Sequence, residues 1–172
     1  MKIRSIAFCA LGVAFLSVLA QICIPMPWGV PLTLQTFAVA FVGFVLPIKY
    51  SLLTVAVYVM LGACGAPVFS AFGAGLVRIA SPTGGFILGF IPLAAACSFS
   101  QEYKKIFKLL LISLGLLLCH VIGTFWFAFI SGEGVLASFV CASLPYLAKD
   151  VICVVLAHKC ADILKRVYRL DM

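Results

Sequence analysis

The stretch IFKLLLISLGLLLCHVIGTFWFAFI, Ile106 to Ile130, carries one charged residue, Lys108, near its start. A helix needs about 20 predominantly apolar residues to cross the hydrocarbon core of a bilayer, and this run exceeds that length. Its surroundings have the same character. Of 172 residues, 65% are hydrophobic and 10% charged, and the mean hydropathy is +1.27, far from the composition of a soluble domain. At this length roughly six spans with short connections fit, with no extramembrane domain, so residues 1–172 are expected to form a single transmembrane domain.

Working outward, the breaks are set by proline and glycine. Helix one is expected from about Ile3 to Ile24 and is stopped by Pro25, Pro27 and Pro31, which lack the backbone donor that a continuing helix requires. Helix two runs from Pro31 or Thr33 to Pro47, short for a span, and helix three from Lys49 to Ala63. The following GACGAPVFSAFGAGLVRIASPTGG, Gly62 to Gly85, is too apolar for a solvated loop and is expected to be re-entrant or to cap the bundle, where protein shields irregular backbone from lipid. Helix four covers Gly85 to Phe99, helix five Ile106 to Ile130, and helix six Leu136 to Leu164, with a kink at Pro145. The fold class is therefore an all-α integral membrane protein, a compact bundle of six transmembrane helices. The basic start at Met1, Lys2 and Arg4 resembles a signal peptide, but no small-residue cleavage pattern follows a short core, so this segment reads as a retained first helix.

Charge then orients the chain. With both termini cytoplasmic, ten of the twelve basic residues fall inside: Lys2, Arg4, Lys49, Lys104, Lys105, Lys108, Lys159, Lys165, Arg166 and Arg169. Such a distribution is what the positive-inside rule demands of a protein in the cell (inner or plasma) membrane. Arg78 and Lys149 are the exceptions. The net charge of +7 does not mark a nucleic-acid partner, because the basic residues are scattered beside apolar segments instead of forming a stripe.

Other classes lack their chemistry. Cys9, Cys23, Cys64, Cys97, Cys119, Cys141, Cys153 and Cys160 form no CxxC pair and lie mostly in apolar runs, where cysteine behaves as a small hydrophobe. His120 has no companion histidine or acidic neighbour at ligand spacing, which argues against metal or catalytic roles, and no cofactor is expected. No GxxxxGK[ST] loop is present, so active transport would draw its energy from another subunit.

Ionisable residues inside a membrane helix are costly and usually face a cavity or a partner, which singles out Lys149 and Asp150, next to Tyr146. The alternative is an interfacial pair reaching for the surface; neighbours on a helix point about 100° apart and need not pair with each other. Arg78, in the apolar outer loop, has the planar fork of donors that suits a carboxylate, or it is a lipid-headgroup contact or loop staple. Thr33, Gln35, Thr36 and Tyr58 are polar groups that can serve a ligand or bond a neighbouring helix. Ala10 and Ala14, with Ser17 nearby, place small residues on one face of helix one, the pattern that lets another helix approach closely in lipid.

Four segments read together resemble the BioY family, the biotin-specific capture subunits of energy-coupling-factor transporters: VPLTLQTF (Val30 to Phe37), YVMLGACGAPVFS (Tyr58 to Ser70), SPTGGFILGF (Ser81 to Phe90), and Pro145-Tyr146 with Asp150. Their order and spacing match over nearly the whole chain. The resemblance implies six membrane helices, a vitamin site near the outer face, a transmembrane coupling subunit and two ATPase subunits as partners, and a contact with the coupling subunit through Ala10 and Ala14. It further implies that Asp150 reads the ureido ring of biotin, that Lys149 orients this carboxylate or bonds the other end of the ligand, and that Tyr58, Phe69 and Tyr146 cover the apolar ring. One position departs from the family pattern: the lysine expected three residues after the aspartate is Cys153, and Lys149 precedes the aspartate instead. Either Lys149 and Arg78 supply that charge, or affinity or specificity has shifted. Capture of another small vitamin, uptake without ATPases, a lipid-acting enzyme and a ligand-free structural protein are the competing readings.

Overall fold

Where the first helix ends decides how the next ones are placed. The computed structural model describes residues 3–168; Lys2, Arg169, Asp171 and the side chain of Arg4 lie outside the described set. Helix α1 (Ile3–Ala20) stops before the prolines. Its last turn tightens, with Gln21 N bonding Val18 O at 3.1 Å and Ile22 N bonding Leu19 O at 3.2 Å. The chain then enters a small hairpin of β1 (Cys23–Ile24) and β2 (Leu32–Thr33), antiparallel, with Cys23 opposite Thr33 and Ile24 opposite Leu32. Residues expected at the end of helix one and the start of helix two are thus extended, because their backbone groups pair across the hairpin.

Helices α2 (Gln35–Val45) and α3 (Ile48–Ala63) follow, divided at Pro47. A capping loop leads through a 3₁₀ turn (Ser70–Phe72) and the short α4 (Leu76–Ile79) to α5 (Gly84–Phe99), and a second 3₁₀ turn (Ser100–Glu102) leads to α6 (Lys105–Ser131). The expected sixth helix is two pieces, α7 (Val135–Ala142) and α8 (Leu144–Tyr168), bent by 47°. The break lies at Ser143, and Pro145 sits in the first turn of α8, where its missing N–H costs no helical bond.

Counting the bent pair as one segment, the six expected helices are present. Among the described residues, Gly84–Glu102, α6 and the bent pair have the length and hydropathy of complete spans, and the described parts of α1, α2 and α3 are shorter. The hairpin and the capping loop, non-helical backbone adjoining these shorter helices, lie over one end of the bundle and are themselves largely exposed. Helix α2 is central, with eight of its eleven residues buried. Close approach depends on missing side chains: between α2 and α5 a Cβ on Gly43 would come within 2.8 Å of Ala94 O, and between α5 and α6 one on Gly89 would come within 2.9 Å of Cys119 Cα. The outward faces are apolar, with Leu110, Leu114, Phe125 and Phe129 of α6 and Ile152 and Val155 of α8 all exposed, as suits contact with lipid.

Charge separates the two ends. Phe44 to Ile48, Ser98, Gln101, Glu102 and Lys165 border one recess, and Lys108 Nζ bonds Gln101 Oε1 at 3.2 Å, so the α2–α3 turn, the α5–α6 turn and the end of α8 share one face. The hairpin and capping loop close the opposite end. There Gln21 acts as a staple, accepting from Phe72 N at 2.8 Å and donating to Phe69 O at 3.2 Å. It secures a turn in which Ala71 and Phe72 hold left-handed φ values of 54° and 56°.

Candidate functional site

The break between α7 and α8 aims the polar residues inward. Ser143 shares a 2.7 Å hydrogen bond with Thr124 of α6, and α8 starts from this anchored point. Tyr146 and Asp150, four residues apart, fall on one face of α8, and both are buried, at 4% and 6% exposure. Lys149 turns its long side chain back to the same place, where its ammonium pairs with Asp150 Oδ1 and donates to Thr33 O at 3.0 Å. The adjacent residues therefore do form an ion pair, with Asp150 buried and Lys149 half-buried between α8 and the hairpin.

The second carboxylate oxygen faces α6 and α2. His120 Nε2 stands 3.2 Å from Asp150 Oδ2, within ion-pair range but off the line of a hydrogen bond. Thr36, in the first turn of α2, lines the same pocket as this carboxylate. The N-terminal end of α2 is thus set against a negative charge, where the helix dipole favours it.

Around this charge the hairpin forms a roof. Tyr146 receives a bond from Trp28 Nε1 at 2.8 Å and donates to Val30 O. On the neighbouring side Gln35 donates to Tyr58 OH at 2.7 Å and Tyr58 donates to Val68 O at 3.1 Å, which ties α2 through α3 to the capping loop. These elements surround a pocket whose cavity volume is about 50 Å³. Its lining is mixed, with the apolar Val30, Phe86, Ile87 and Phe90 and the polar Thr33, Gln35, Thr36, Lys149 and Asp150.

Of the residues singled out from sequence, Thr33, Gln35, Thr36, Tyr146, Lys149 and Asp150 line this pocket. Tyr58, Phe69 and Arg78 do not. Tyr58 stands behind Gln35, and Phe69 is fully buried edge-on to Tyr58, at a ring separation of 5.5 Å, in the space that a Cβ on Gly62 would fill. Arg78 is bonded to Ser70 O at 3.1 Å and Ser70 Oγ at 3.3 Å; Ser70 lines the pocket, and Arg78 Nε is buried without a partner. Trp28, Thr83, Phe86, Phe90 and His120 join the site without having been singled out for a ligand. The carboxylate that meets His120 comes from another helix, 30 positions along the chain, so local spacing carries no trace of it. The aromatic lining residues fit equally well as ordinary membrane-helix residues.

Ala10 and Ala14 are exposed on α1, where with Ile6, Val13, Leu53 and Val57 they border an apolar groove between α1 and α3. Among the described residues no three potential metal ligands come together.

The family model described as the BioY family matches residues 1–170. A "Probable biotin transporter BioY" of Pyrococcus horikoshii is 38% identical over 152 residues, covering 88% of this chain and 90% of that protein. The "Biotin transporter BioY2" of Lactococcus lactis is 37% identical over 131 residues, covering 74% of this chain and 71% of the relative. The crystal structure of the S-component for biotin from an ECF-type ABC transporter superposes with a TM-score of 0.86 at 22% identity, over 96% of this chain and 92% of that one, and so has the same fold.

Proposed function

Because the chain belongs to the BioY family, we propose that it captures biotin at the outer face of the cell membrane and delivers it inward as the substrate-specific subunit of an energy-coupling-factor transporter. A transmembrane coupling subunit and two ATPase subunits supply the energy, and the chain performs no catalysis itself. Both termini are cytoplasmic, in keeping with the basic residues gathered at the end of the bundle opposite the pocket.

The observation that carries the reading is the Lys149–Asp150 pair, its carboxylate buried, lining one pocket together with apolar side chains. Biotin has the matching duality: a ureido ring with two N–H donors and a carbonyl, and an apolar ring and chain that end in a carboxylate. The Asp150 carboxylate accepts from the ureido N–H groups, Lys149 orients it, and Phe86, Phe90 and Tyr146 cover the apolar part. Gln35 and Thr36 complete the polar side, with Tyr58 and Phe69 as its backing. Arg78, tied to the pocket-lining Ser70, is assigned to the ligand carboxylate. The position occupied by Cys153 needs no lysine in this arrangement, since Lys149 supplies the ammonium beside Asp150. The exposed strip of Ala10 and Ala14 is the contact for the coupling subunit.

Calorimetric titration of the purified protein in detergent tests the reading. Saturable binding of biotin at one site per chain is expected, and its absence in folded, monodisperse protein would refute the proposal.

A further inference from the structure

His120 is a buried imidazole that this reading leaves without a role. It lies within α6, is 3% exposed, and neither ring nitrogen has a hydrogen-bond partner, while Nε2 stands 3.2 Å from Asp150 Oδ2. The ring has little freedom. Phe86 of α5 meets it edge-on, with ring centroids 6.0 Å apart and planes at 82°, and Phe86 is itself seated over Gly123, where a Cβ would approach its ring to 2.4 Å. One turn further along α6, Thr124 bonds Ser143 at the α7–α8 break. Helix α6 thus addresses α8 with two polar side chains four residues apart, one at the break and one at the carboxylate.

An aliphatic residue of similar volume would pack in this apolar setting without the cost of burying a polar ring, so the imidazole calls for a polar reason, and the polar atom within its reach is Asp150 Oδ2. Lys149 already engages Oδ1, but from a long side chain that remains 19% exposed. A rigid second donor on the other oxygen would fix the plane of the carboxylate where a flexible ammonium cannot.

We propose that His120 is a positioning residue for substrate capture: as the Nε2–H tautomer it donates to Asp150 Oδ2 in the loaded pocket and holds the carboxylate in the plane that receives the ligand's N–H groups. Nδ1 then carries the lone pair, the less costly of the two ring functions to leave unpaired against an apolar wall. The inference rests on the assignment of Asp150 to the ligand and adds to it the residue that sets its geometry.

The test is biotin titration into the full-length protein in detergent for wild type, His120→Leu, His120→Gln, Asp150→Ala and the His120→Leu/Asp150→Ala double variant. His120→Leu is expected to weaken binding roughly tenfold. His120→Gln, which keeps an N–H at comparable reach, restores most of that loss. On the Asp150→Ala background, His120→Leu adds less than about twofold, because its effect passes through the carboxylate. Wild-type affinity for His120→Leu alongside a weakened Asp150→Ala overturns this inference alone, as do additive losses without rescue by glutamine. Undiminished binding by Asp150→Ala overturns the pocket assignment and this inference with it. Nitrogen-15 NMR of the biotin-loaded wild-type protein reads the tautomer without relying on a variant's folding: Nε2–H is expected, and Nδ1–H would refute the role.

Discussion

Replacing Asp150 by alanine is the perturbation that bears most directly on the site. The carboxylate is 6% exposed, with Lys149 on one oxygen and His120 3.2 Å from the other, and its remaining lone pairs face the pocket. A ligand N–H there makes a charge-assisted bond worth about 1.5–3 kcal/mol, and its loss leaves that donor unpaired in a dry site. Biotin affinity should therefore fall by roughly one to two orders of magnitude, with Asp150→Asn between wild type and Asp150→Ala because the amide keeps an acceptor without the charge. The same change strips Lys149 of its counter-charge. Breaking a fully buried pair costs about 3–5 kcal/mol, but the Lys149 side chain is 19% exposed and keeps Thr33 O at 3.0 Å, so the loss of stability should be smaller. Calorimetry gives the affinity, and a thermal melt of the unliganded variants separates binding from folding. Binding by Asp150→Ala as tight as wild type, with a lowered Tm, would make the ion pair a staple between α8 and the hairpin and refute its role in recognition.

Replacing Ala10 and Ala14 together by leucine fills the exposed groove on α1, and is expected to abolish biotin uptake in cells while leaving binding to the isolated subunit within about twofold; lost binding with intact assembly would make the strip internal packing. Arg78→Ala is expected to weaken biotin by roughly tenfold and biotin methyl ester far less, because only the acid offers a charge to the guanidinium; equal losses for both ligands would reduce Arg78 to the staple of Ser70 seen here. Reporters fused at Glu133 and at Asp171 should lie on opposite sides of the membrane, and finding them on the same side would reject the six-span topology.

The candidate site was legible in sequence only in part. Lys149 and Asp150 stood out because the bilayer makes ionisable groups rare, so their presence in an apolar run is a signal by itself. Gln35 and Thr36 stood out as polar groups in a short apolar helix, and both reach the pocket. Arg78 was noticed for the same reason as Lys149, yet its guanidinium is held by Ser70 outside the pocket lining, since a loop places its residues by contacts that spacing does not encode. Phe69 and Tyr58 became backing in place of lining because Gly62 leaves a hole that the Phe69 ring fills.

The sequence by itself determined the solvent, the approximate helices and the charged end of the bundle, because hydropathy, proline breaks and lysine placement act locally along the chain. It also located the one ionisable pair in the early part of the last helix. Only the tertiary structure decided that the last helix breaks at Ser143, where a hydroxyl on α6 holds the turn, and that residues 23–33 form a hairpin over α2 instead of lengthening two helices. The same holds for the company Asp150 keeps. Lys149 beside it, His120 from α6 and Thr36 from α2 come together at one pocket because three helices cross there, and no periodicity within any one of them could have announced it.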